Sequence, residues 1–141
     1  MADLTITAAS VLASANAIIE RRYNFGATVT QGQAVYLDAN TEWQLLDADA
    51  AATGNGVSNV RGIALVSGAD GQPAIVALKD DDFTPGATLT VGASYYASGT
   101  AGGIAPAADL ASGDYVVFLG VAKSTTKLNL NPTAAGAQVP V

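Results

Sequence analysis

The densest run of oxygen ligands in the chain is Asp80-Asp81-Asp82. Clustered carboxylates can hold a hard cation such as calcium. No Asp-x-Asn-x-Asp-Gly spacing follows, and the next glycine, Gly86, comes only after Pro85. A solvated turn is the competing reading. Asp47, Asp49 and Asp109 could supply the paired carboxylates of glycoside hydrolysis. Their repeated placement equally suits turns in which Asp accepts hydrogen bonds from nearby amides. The chain has no histidine and no cysteine. Ser-His-Asp and Cys-His catalysis and His/Cys zinc sites are therefore excluded, and no acid-base partner stands ready for the carboxylates.

Three further groups bear on chemistry or binding. Gly99-Thr100-Ala101-Gly102-Gly103 could cradle a phosphate, but it lacks the lysine of a P-loop and no helix is expected after it. A hairpin loop accounts for it as well. Trp43, Tyr95 and Tyr96 could form a carbohydrate-binding patch, or pack in a core or subunit interface. Arg21-Arg22, behind Ile18-Ile19, is the one basic pair. It reads either as ordinary surface charge or as a docking element for a carboxylate-rich partner. No catalytic, cofactor-binding or metal-ligating residue is assigned, no cofactor is expected, and the chain is expected not to be an enzyme.

The elements that would position these residues are short. From Gly26 onward, β runs broken by Gly, Asn, Asp and Pro are expected at Ala27–Thr30, Gln33–Asp38, Glu42–Leu46, Val60–Ser67 and Ala74–Lys79. Others are expected at Thr88–Val91, Ser94–Ala97, Tyr115–Lys123 and Lys127–Asn131. Strands of this length and spacing indicate a small all-β barrel or sandwich. Asp47–Gly54 and Pro106–Ser112 read as loops or single helical turns. Before residue 26, Leu4 and Ile6 suggest an extended piece. Residues 8–22 mix helical propensity with loose alternation, and the strand or extended-arm reading is preferred.

Residues 26–36 (GATVTQGQAVY) and 86–96 (GATLTVGASYY) match at a fixed offset of 60, with identities at Gly26, Ala27, Thr28, Thr30, Gly32 and Tyr36. Ala48-Asp49 answers Ala108-Asp109 at the same offset, and Gly62-Ile63-Ala64 answers Gly120-Val121-Ala122 at an offset of 58. Colinear matches in three blocks indicate an internal duplication. The expected organisation is an N-terminal extended arm, residues 1–25, followed by a β domain, 26–141, made of pseudo-repeats 26–80 and 86–133. Leu4, Ile6, Val11, Ile18, Ile19, Arg21 and Arg22 of the arm are the candidate assembly contacts, because apolar residues on an unpaired arm need a surface to bury them.

Composition narrows the partners. The 141 residues carry 12 acids against 6 bases, a net charge of −6, and only 13% are charged, against roughly a quarter in ordinary domains. The bases are scattered apart from Arg21-Arg22, so neither nucleic acid nor an acidic membrane surface is an expected partner. No apolar run approaches the ~20 residues of a membrane helix. The first basic residue is Arg21, so the charged opening of a signal peptide is missing.

Thr28-Val-Thr-Gln-Gly-Gln-Ala-Val-Tyr-Leu-Asp38 resembles the Gly-Gln-Pro-Val-Tyr opening of small structural proteins of tailed phages, with Ala34 where proline is usual. Arg61-Gly-Ile-Ala-Leu65, Ala101-Gly-Gly-Ile-Ala-Pro106 and Leu119-Gly-Val-Ala122 fit the same group, and the resemblance spans roughly residues 5–135. These proteins are capsid decoration, or cement, proteins. The resemblance implies a β-rich homotrimer on the outer surface of the virion head that clamps neighbouring major-capsid subunits. It carries over no catalytic residue. A receptor- or glycan-binding tail or fibre module is the alternative, which an exposed groove around Trp43, Tyr95 and Tyr96 would favour.

Overall fold

The computed structural model describes residues 3–47, 60–110 and 114–138. The chain is all-β. Its strands are β1 (Ile18–Glu20), β2 (Asn24–Phe25), β3 (Ala34–Leu37), β4 (Glu42–Leu45), β5 (Arg61–Ala64), β6 (Val76–Phe83), β7 (Ser94–Ala97), β8 (Ile104–Pro106), β9 (Tyr115–Ala122) and β10 (Leu128–Gln138). Two single 3-10 turns, Ala8–Ser10 and Ala107–Asp109, are the helical elements among the described residues. The second falls within the expected turn at Pro106–Ser112. Asp49 and most of the expected loop at Asp47–Gly54 lie outside the described residues.

The strands form one sheet in the order β2-β4-β3-β5-β6-β10-β9-β7-β8, and β1 adds to β6. Every pair is antiparallel except β2 with β4. The runs β4-β3-β5-β6 and β8-β7-β9-β10 share one internal order and meet at the β6–β10 pair. Tyr36 and Tyr96 occupy the same place in them: β3 lies between β4 and β5, and β7 between β8 and β9.

The shared Gly turns have a conformational reason. Gln33 N–H donates to Thr30 O at 3.0 Å, and Ala93 N–H to Thr90 O at 3.0 Å. The third residues of these turns, Gly32 and Gly92, have φ of 96° and 82°. A positive φ at that position is the mark of a type II turn and favours glycine. Each glycine then hydrogen-bonds the neighbouring strand, Gly32 N–H to Ala64 O and Gly92 N–H to Ala122 O. The turn thus sets the register of the strand that follows it.

Two apolar cores form. One gathers Phe25, Val29, Val35, Trp43, Ala64, Ala74 and Val76. The other is larger and joins Ala34, Leu46, Ile63, Ala77 and Phe83 to Tyr95, Ile104, Leu119, Leu128 and Leu130.

Four expectations are corrected. Ala27–Thr30 makes only an isolated bridge, Val29 to Gly68, and Thr88–Val91 is not a strand. Asp80–Asp82 is not a turn but the end of β6. Aspartate disfavours strands, but here Leu130 pairs with Asp80 and Leu128 with Phe83 across β10. Finally, residues 3–25 do not stand apart as an arm. Val11 is buried in the larger core with Leu4 and Ile6 packed against it, and β1 and β2 belong to the sheet.

Candidate assembly surface

The N-terminal segment crosses its own chain from end to end. Asp3 accepts a hydrogen bond from Ser98 Oγ at 2.7 Å, and Leu4 N–H donates to Ile104 O at 2.8 Å. Thr7 N–H reaches Gly86 O at 2.8 Å, and Leu12 exchanges two 2.9 Å backbone bonds with Thr84. Further on, Ser14 caps Asp80. Its N–H donates to Asp80 Oδ2 at 2.7 Å and its hydroxyl donates to Oδ1. Asp82 N–H adds a third donor at 3.1 Å. Asp80 is only 1% exposed, so these donors replace the water its carboxylate has lost.

The candidate contacts therefore divide. Leu4, Ile6 and Val11 are taken up by the chain's own core. Ile18 points to solvent at 56% exposure, while Ile19 is half-buried opposite Ala77. Arg21 is exposed. Arg22 folds back onto Glu20, with Nε–Oε1 at 3.0 Å and Nη2–Oε2 at 2.9 Å, and its guanidinium lies 5.2 Å from the Tyr23 ring centre. The hydrogen bonds from Arg22 hold the Glu20 carboxyl at about 2, well below its ordinary 4.5. The basic pair is thus one local ion pair and one exposed cation.

The residues considered for chemistry are spent on structure. Trp43 is fully buried and Tyr95 is 3% exposed. Tyr95 Oη accepts from Thr90 N–H at 2.9 Å, which fastens the Gly92 turn to β7. Tyr96 is half-buried and meets Phe118 edge to face, 5.8 Å between centres. The three rings do not form an exposed groove. In the Gly99–Gly103 loop, Gly102 N–H donates to Leu46 O and Gly103 N–H to Thr100 O. The Asp3 carboxylate sits beside Gly103. Amides already committed, next to an anion, make a poor phosphate cradle. Asp47 follows β4, and Asp109 closes the 3-10 turn after β8. Among the described residues, no cluster of three or more carboxylates is placed to hold a metal ion. Burial pushes the Tyr36 hydroxyl up, helped by the nearby Asp38 charge.

Leu12, one of the apolar residues of the N-terminal segment, is 64% exposed, and the sequence reading missed three further exposed apolar side chains: Val60 at 49%, Val91 at 61% and Val121 at 37%. Val121 sits in the run Tyr115–Ala122, which is apolar on both faces and reads as a wholly buried strand. Only Val91, beside the turn glycine, carried a sequence signal. No family model, curated protein or solved structure matches this chain.

Proposed function

We propose that this protein is a non-enzymatic structural component of a virion, a decoration protein that sits on the outside of a phage head as a homotrimer and braces neighbouring major-capsid subunits. The observation that carries this reading is the exposed apolar set Leu12, Ile18, Val60, Val91 and Val121, held on a β framework whose own cores are already filled. Large apolar side chains left exposed gain free energy when a partner covers them. The resemblance of the Gly-Gln-Ala-Val-Tyr stretch supports the choice of partner. The low charge density supports it too, since few Lys and Glu side chains must be desolvated at a contact. Bracing would work by mass action: each subunit bound to the mature lattice, and not to a ruptured one, shifts the equilibrium toward the intact head.

The test adds purified protein to heads that lack it. Co-sedimentation with the heads, density on their outer surface by cryo-EM, and a raised temperature of DNA release are expected. Failure to bind heads, or density on the tail, would overturn the reading.

A further inference from the structure

Lys127 is held in place without a counter-charge. Arg22 pairs with Glu20 and Lys123 with Asp82, while Arg21 and Lys79 are exposed. Lys127 is half-buried. Its Nζ donates to Thr84 Oγ1 at 2.7 Å, and no carboxylate pairs with it among the described residues. The chain as a whole carries −6, yet Asp82, two residues before Thr84, lies against Lys123 instead, at 3.4 Å. Local bonds fix the lysine in its turn. Its N–H donates to Ser124 Oγ at 3.0 Å, and its carbonyl accepts from Lys123 N–H at 2.9 Å.

Thr84 also lines a hollow of about 290 Å³, together with Thr5, Thr7, Ser10, Thr88 and Thr126. Among the described residues no carboxylate lines it. The hydroxyls of Thr5, Thr7, Ser10 and Thr88 make no hydrogen bond to any described residue. The amides of Ala87, another lining residue, and Thr88 donate to no backbone group among the described residues. Thr84 Oγ1 accepts from the ammonium, so its own proton is left for a second acceptor, and Lys127 keeps two further donors of its own. The result is a set of hydrogen-bond donors with a positive charge behind it.

We propose that this hollow is an oxyanion site that takes a phosphate or sulfate group. Hydroxyls alone would serve a neutral sugar equally well. The ammonium against Thr84 selects an anion, because hydrogen bonds to a charged acceptor are the stronger ones and a nearby cation strengthens them further. The donors come from three separate stretches, Thr5 to Ser10, Thr84 to Thr88, and Thr126. Donors spread in this way suit the oxygens of a tetrahedral anion better than the two coplanar oxygens of a carboxylate. The site is independent of the capsid reading. Its ligand is either the free inorganic anion or the same group carried on a small molecule such as a sugar.

Amide NMR titration of the full chain at constant ionic strength tests it, with inorganic phosphate, inorganic sulfate, glucose 6-phosphate and glucose as probes. Saturable shifts at Thr84, Ala87, Thr88 and Lys127 are expected with the three anions and not with glucose. Tighter binding of glucose 6-phosphate than of phosphate would mark a group carried on a sugar, and equal binding the free anion. Lys127→Met should weaken phosphate about tenfold or more, the loss expected for one hydrogen bond to a charged group. Thr84→Val should weaken it in the same direction. Lys79→Met removes the same charge from an exposed position on β6 and should bind like the wild type. Thermal melts check the fold, and if Lys127→Met unfolds, the near-isosteric Thr84→Val decides. Shifts that do not saturate, shifts that glucose reproduces, or unchanged phosphate affinity in a folded Lys127→Met would overturn the inference.

Discussion

Replacing Val11 by alanine should destabilise the folded chain by about 2 kcal/mol. Val11 is 5% exposed and its Cγ2 lies against both Gly32 and Gly86. The substitution removes two carbons, worth about 1.6 kcal/mol at ~0.8 kcal/mol per buried CH₂. Rigid surroundings add a cavity term: the tight approach to two glycine backbones leaves little room to collapse into the space, bringing the total to about 2 kcal/mol. For a chain of this length, roughly 3–5 °C of melting temperature per kcal/mol gives a drop of about 6–10 °C. Urea unfolding followed by circular dichroism reads the same change as a lower midpoint at unchanged slope. Leu12 is the internal control. It is next in sequence and 64% exposed, so Leu12→Ala should stay within about 0.5 kcal/mol. The contrast separates two views of the N-terminal segment. If it folds onto its own chain, Val11→Ala is costly and Leu12→Ala is silent. Equal and negligible effects would mean that residues 3–25 are not part of the core in solution, and the packing argument would fail. Deleting residues 2–20 should then leave the fold intact, whereas the structure implies that this deletion unfolds it.

Two smaller changes probe the electrostatics. Ser14→Ala should cost about 1.5–3 kcal/mol by chemical denaturation, because it removes a hydroxyl donor from the buried Asp80 carboxylate; a cost below about 0.5 kcal/mol would show that water replaces it. Glu20 should titrate near 2 by carboxyl NMR, and Arg22→Ala should return it to the ordinary range around 4.5. Since the folded value is depressed, the stabilisation from this pair is fully present above 4.5 and is lost as pH falls toward 2. An Arg22→Ala variant in which Glu20 still titrates near 2 would assign the shift to another cause.

Much of the β framework was legible in the chain itself, because local rules act there. Ser94–Ala97 was delimited correctly and β3, β4 and β9 to within a residue or two, since their apolar runs are bounded by turn residues. Gly32 and Gly92 announced their turns because a positive φ admits few other residues. The absence of His and Cys and the scattered bases bounded the chemistry without coordinates. What only the tertiary structure decided were matters of who covers whom. Asp80–Asp82 reads locally as a turn and becomes strand because β10 pairs with it and Ser14 solvates its buried carboxylate. Val11 and Leu12 look alike in sequence, yet one is buried and the other exposed, because the path of the segment over Gly32 and Gly86 sets which one faces inward. Ile63 and Val121 occupy matching sites in the repeated pattern. Their fates differ because burial is a property of the neighbour across the gap, and a repeat in sequence does not repeat the neighbour.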